Sequence, residues 1–255
     1  MRRGLIHVLA CFAAILAMIP AGPANAEKEL IVSAAASLTN AFTEIGKKFE
    51  AANPGVKVLF NFAASGSLLQ QIEKGAPVDV FASADQKTMD RAGEKGLIAP
   101  KTRQNFAGNR LVLVLPADSK LSVSGLAGLA KPEVARISLG TPEAVPAGAY
   151  AKEALVAAGL WESLAPKYIY AENVRQALDY VSRGEVDAGF VFATDAAAAK
   201  AKVKVAATVE NTSPVLYPIA VVANAQNRDL GQKFIDLVRG EEGRRVLASF
   251  GFTGP

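Results

Sequence analysis

Apolar positions along this chain fall into two alternating rhythms, short runs and helical stripes. Residues 29–34 form a compact apolar run that reads as a strand, and behind it Leu38, Ala41, Phe42, Ile45 and Phe49 recur at helical spacing. Ser37 stands where the N-cap of that helix belongs. Asn53-Pro54-Gly55 forces a stop, and residues 56–62 read as a second strand. Ala63-Ala64-Ser65-Gly66-Ser67 then leads into a short helix, residues 68–74, with Leu68, Leu69 and Ile72 on one face and Gly75 as its C-cap. A third strand, 79–82, precedes a helix over 86–94 that Asp85 caps. Leu111 to Leu115 are five consecutive aliphatic residues, the mark of a strand buried on both faces. A Gly-spaced helix or turn over 121–130 follows, then strands over 137–140, 167–171 and 188–192 alternating with helices over 149–158 and 174–183. Thr194-Asp195 caps a short Ala-rich helix, strands cover 203–209 and 214–223, and helices over 227–238 and 241–250 close the chain.

This alternation argues for an α/β architecture with mostly parallel sheets flanked by helices, in which ligands lie beyond the carboxyl ends of the strands. Helix starts able to face a ligand fall in two groups. Ser37 and Ser65 precede the Leu111 strand, and Ala147 and Val174 follow it. The apolar segments 111–115 and 215–222 are long enough to pass between lobes. The expectation is two lobes, one of residues 27–110 plus 216–255 and one of residues 111–215, with a ligand cleft between them.

Residues 1–26 read as a secretory signal peptide. Arg2 and Arg3 form a basic start, residues 4–19 an apolar run, and Ala24-Asn25-Ala26 a small-x-small cleavage pattern. The run is shorter than the ~20 residues of a membrane span, and Cys11 lies inside it rather than after it, which speaks against lipid attachment. The leader holds the only His, His7, and the only Cys, Cys11. The remaining 229 residues therefore contain neither, which excludes Ser-His-Asp and Cys-His catalysis and the usual zinc, copper and haem ligands. No cofactor is expected. Of 28 basic residues two are in the leader, so 26 face 24 acidic ones, a net charge of +2. No dense Lys/Arg stripe stands out, so nucleic acid is an improbable partner.

The helix starts carry the candidate chemistry. Each is a cluster of backbone N–H groups without partners at the positive end of a helix dipole, a ready site for an anion. Pro146 fixes the approach of one such helix, and Ala147 and Gly148 leave its first amides uncovered. A serine nucleophile is disfavoured, since neither Ser37 nor Ser65 sits in Gly-x-Ser-x-Gly or begins Ser-x-x-Lys. Gly-Lys-Ser/Thr and Gly-x-Gly-x-x-Gly nucleotide loops are also missing.

Three stretches, Ala34-Ala35-Ala36-Ser37-Leu38-Thr39-Asn40, the run from Gly75 to Gln86 and Val145-Pro146-Ala147-Gly148-Ala149-Tyr150, make the chain resemble the periplasmic molybdate-binding proteins of ABC transporters. The likeness covers the whole chain after the leader. It implies a type II periplasmic-binding-protein fold whose two lobes close on molybdate or tungstate, and a monomer that docks on a membrane permease. It further implies that Ser37 and Ser65 give hydroxyl and amide contacts, and that Ala147 and Val174 give backbone amides. A fifth position departs. Many relatives have Tyr in a Val-Tyr-Gly-Ser-Asp stretch, whereas this chain reads Val191-Phe192-Ala193-Thr194-Asp195, and the Phe192 ring donates no hydrogen bond.

Such a donor set suits a tetrahedral dianion that carries no proton and can only accept hydrogen bonds. Each charge-assisted bond contributes roughly 1.5 to 3 kcal/mol net. Phosphate, which keeps a proton near neutrality, would want an acceptor that the assigned positions lack. Sulfate has the same hydrogen-bonding chemistry as molybdate, and a carrier for sulfate or another small oxyanion is the alternative.

Overall fold

The computed structural model describes residues 28–255; the leader read at 1–26 lies outside the described residues. In chain order the main elements are β1 (Lys28–Ala35), α1 (Thr39–Ala52), β2 (Val56–Ala63), α2 (Ser65–Glu73), β3 (Val80–Ala82), α3 (Gln86–Glu94), β4 (Gln104–Asn109), β5 (Leu111–Pro116) and β6 (Ile137–Gly140). They continue as α4 (Pro146–Ala157), α5 (Trp161–Leu164), β7 (Tyr168–Ala171), α6 (Val174–Ser182), β8 (Ala188–Phe192), α7 (Ala193–Ala198), β9 (Val203–Val209), β10 (Val215–Val221), α8 (Arg228–Arg239) and α9 (Glu241–Ser249). None of the described helices is long and apolar enough to cross a membrane.

The strands form two five-stranded sheets, ordered β2-β1-β3-β10-β4 and β7-β6-β8-β5-β9. In the first, β1 pairs in parallel with β2 and β3, while β10 runs antiparallel between β3 and β4. The second repeats the plan, with β6 parallel to β7 and β8, and β5 antiparallel between β8 and β9. Each sheet is therefore mixed, with more antiparallel pairing than the strand and helix alternation implies. The chain passes between sheets twice, at Arg110 and over residues 210–214, so the β4–β10 ribbon of one sheet meets the β5–β9 ribbon of the other.

The apolar face of α1 is buried through Phe42, Ile45 and Phe49. Phe42 packs on Phe106 of β4 at 5.6 Å and edge-on against Phe234 of α8 at 5.8 Å, and Phe49 meets Phe234 at 5.5 Å. These contacts fix the helix whose first turn enters the site. In the second sheet every residue of β5 and β8 is buried, as the Leu111 to Leu115 run requires.

Strand β4 carries no local signal in its residues. Gln104-Asn105-Phe106-Ala107-Gly108-Asn109 holds one large apolar residue, and its extended form comes from pairing with β10. Helix α2 begins at Ser65, three residues earlier than its apolar stripe indicates, and Gly75 beyond it takes φ +87, a backbone conformation that glycine adopts without strain.

Candidate functional site

The carboxyl ends of β1, β2 and β8 point at a small gap between the two sheets. Ser37 and Ser65 line it from the first sheet's side, and Ala147, Val174 and Phe192 from the second. All five sequence-chosen residues therefore stand together, and each is at most 4 % exposed.

Local structure explains how they arrive. Ser37 does not cap α1. It sits in a 3-10 turn, Ala36–Leu38, that joins β1 to the helix, and no side chain caps α1. Its hydroxyl instead meets that of Tyr217, 3.0 Å away. Ser65 is the first residue of α2, and its Oγ accepts the Ala84 N–H at 3.0 Å. Ala147 follows Pro146 in the first turn of α4. Val174 opens α6, where Asn173 caps by accepting the N–H groups of Arg175 and Gln176 at 3.0 and 3.1 Å. The amides of Ser37, Ser65, Ala147 and Val174 thus lie in first helical turns, beyond reach of an intrahelical carbonyl. None of the four donates elsewhere among the described residues.

Gly148 has a further task besides the one its sequence position suggests. A Cβ there would fall 1.8 Å from the Gly140 carbonyl oxygen, so the missing side chain lets α4 seat against the end of β6. Phe192 presents only a ring, edge-on to Tyr217 at 5.8 Å and Tyr150 at 6.4 Å. Its own N–H donates to Asp195 Oδ2 at 3.3 Å. Asp195 accordingly lies inside the first turn of α7 rather than ahead of it.

One cation stands behind the wall. Arg175 Nε lies 2.6 Å from Asp195 Oδ1, an ion pair skewed from the straight hydrogen-bond line, and Arg175 Nη2 reaches the Ser37 carbonyl of the other lobe at 3.4 Å. Burial raises the Asp195 carboxyl above the ordinary carboxylate range, against the pull of Arg175 and the Phe192 N–H. The Arg175 charge is thus committed to a carboxylate, and the guanidinium is not part of the gap's lining. Sequence reasoning passed over Arg175, Asn109 and Tyr217. The one available signal was Tyr217, a polar-tipped ring inside an apolar strand, where a buried hydroxyl needs a partner.

Direct contacts join the two sides around the gap. Gly66 N–H donates to the Ala144 carbonyl at 2.9 Å, and Asn109 Nδ2 donates to Thr194 Oγ1 at 2.9 Å. A larger groove also lies between the lobes, but the carboxylates lining it, Asp85, Asp90, Glu143 and Glu153, outnumber its cations, Lys87 and Lys152. Those carboxylates would repel an anion, so the small gap is the candidate site. No group of three or more His, Cys, Asp or Glu side chains able to hold a metal ion occurs among the described residues.

Two lobes joined by a double crossing, with helix starts from both converging on one small gap, define a solute-binding protein. The chain belongs to the bacterial extracellular solute-binding protein family, whose model matches residues 30–253. It is 43% identical to the molybdate-binding protein ModA of Escherichia coli over 252 residues, covering 94% of this chain and 95% of that one. Among solved structures it is similar to the substrate-binding domain of a putative molybdenum ABC transporter from Clostridium difficile, with 38% identity, a TM-score of 0.67, and 89% and 99% of the two chains covered. It shares its fold with the periplasmic molybdate-binding protein of Azotobacter vinelandii, at 23% identity and a TM-score of 0.78, over 89% of this chain and 99% of that one.

Proposed function

We propose that this protein captures molybdate, and tungstate through the same contacts, in the periplasm, and as a monomer delivers it to the membrane permease of an ABC transporter. The anion would sit in the small gap, held by the hydroxyls and amides of Ser37 and Ser65 and the amides of Ala147 and Val174, with Phe192 as an apolar wall. Residues 27–110 plus 216–255 and residues 111–215 would move as the two lobes. An anion bound to both lobes stabilises their closed arrangement over the separated one, since only closure pairs all of its oxygens.

The observation that carries this reading is the meeting of four unpaired first-turn amides, two from each side, in a gap lined by no carboxylate and no cation. Relatives named as molybdate-binding proteins support the choice of anion. Titration calorimetry of ligand-free protein with molybdate, tungstate, sulfate and phosphate tests it. Molybdate and tungstate should bind tightly, sulfate weakly and phosphate least. Sulfate binding tighter than molybdate would overturn the assignment.

A further inference from the structure

The Ser37 hydroxyl is the end of a chain of buried polar groups. Its Oγ lies 3.0 Å from the Tyr217 hydroxyl, and Asn109 Nδ2 donates to that same phenol oxygen at 3.1 Å. The Asn109 amide cannot be turned over, because its Oδ1 accepts the Arg110 N–H at 2.9 Å and its NH2 must face the phenol. The Tyr217 proton then has a single acceptor among the described residues, Ser37 Oγ. Were Ser37 to donate instead, the phenol oxygen would receive two donors. Its own proton, in a side chain with no exposure, would be left unpaired at a cost of roughly 1–3 kcal/mol. Donation therefore runs from Asn109 to Tyr217 to Ser37, and the Ser37 proton is left for the gap. Burial holds the Tyr217 pKa well above its ordinary value, so this proton stays in place. Ser65 is treated in the same way by a simpler device, the Ala84 N–H that donates to its Oγ.

We propose that Tyr217 and Asn109 are positioning residues for the oxyanion site, orienting the Ser37 hydroxyl so that it donates to the bound anion. This rests on reading the gap as an oxyanion site. A hydroxyl whose lone pair is already filled from behind offers its proton forward, which is what an anion without a proton of its own requires.

A double-mutant cycle read by calorimetric titration with molybdate tests the proposal. Tyr217→Phe keeps the ring and should weaken molybdate binding by about fivefold to tenfold, the scale of one hydrogen bond. In a Ser37→Ala background, where no hydroxyl remains to orient, the same change should alter affinity by less than about twofold. Equal losses in both backgrounds, or no loss in the parent, would overturn the proposal, because a purely structural Tyr217 acts regardless of Ser37. Thermal unfolding checks that each variant folds. Should Tyr217→Phe fail to fold, Asn109→Ala takes its place in the cycle under the same criterion, in a Thr194→Val background where the Asn109 bond across the lobes is already absent. A parent protein that does not bind molybdate would instead refute the site's assignment, a result distinct from additivity in the cycle.

Discussion

Gly66→Ala should separate binding from stability, pushing them in opposite directions. Gly66 is the second residue of α2, and its N–H donates to the Ala144 carbonyl on the other lobe at 2.9 Å. A Cβ at this position would lie 2.8 Å from both the Cα and the carbonyl oxygen of Ala144, where ordinary contact begins at 3.4 Å. The obstacle is backbone, so no side-chain rotation relieves it, and the lobes must stop several tenths of an ångström short. That removes the Gly66–Ala144 bond, about 1 kcal/mol, and lengthens the contacts one lobe makes to an anion held by the other. Molybdate affinity should fall at least about tenfold, or ~1.4 kcal/mol. In separated lobes the clash does not arise. Gly66 has no positive φ, and alanine in a helix is favoured over glycine by roughly 0.5–1 kcal/mol, so the ligand-free protein should be as stable as the parent or more so. Titration calorimetry gives the affinity, and thermal unfolding with and without molybdate gives the stability. Unchanged affinity, or affinity and ligand-free stability falling together, would refute the closure geometry.

Other changes probe the remaining parts. Ser37→Ala should weaken molybdate binding at least about tenfold in the same titration, since hydroxyl donation to an anion is lost. Phe192→Tyr should leave binding equal or tighter, a hydroxyl being added beside the gap; a large loss by calorimetry would show that the pocket is lined differently from this account. Arg175→Met strands the fully buried Asp195 carboxylate, a cost on the order of 3–5 kcal/mol, and should lower the unfolding temperature by roughly ten degrees. Pairing it with Asp195→Asn should restore most of that loss. Burial raises the Asp85 pKa above 3.8, against the pull of its bonds to Thr88 and Ser83. Its contribution to stability is therefore whole below the ordinary carboxylate value and is lost as pH rises through the raised one. Asp85→Asn carries no such loss, so its stability relative to the parent, from chemical denaturation, should grow as pH rises from the ordinary carboxylate value through the raised one; a constant difference would show that Asp85 is not destabilised by its burial.

Elements that carry their own local signal were readable from the chain. The stripe from Leu38 to Phe49, the Asp85 cap and the aliphatic run at Leu111 state their structure in residues a few positions apart, and the structure has them where they were read. β4 was not readable, because two asparagines and a glycine become a strand only against β10, more than a hundred residues later. The same distinction divides the site. Ser65, Ala147 and Val174 announce themselves as helix starts. Ser37 was found for a partly mistaken reason, as a cap, while its actual partner Tyr217 lies 180 positions away. Asn109, Arg175 and Asp195 act through contacts between segments that no local spacing encodes.

The double crossing bears on how the chain first acquires its shape. All strands of the second sheet come from one stretch, 111–209, whereas the first must hold a place open between β3 and β4 until β10 arrives. The inner lobe can assemble as soon as its own residues emerge, but the outer one waits for residues 215–221, which follow the whole of the inner one. A newborn chain halted before that point would carry one finished half and one with two unpaired strand edges, the form a chaperone or an export machine would meet.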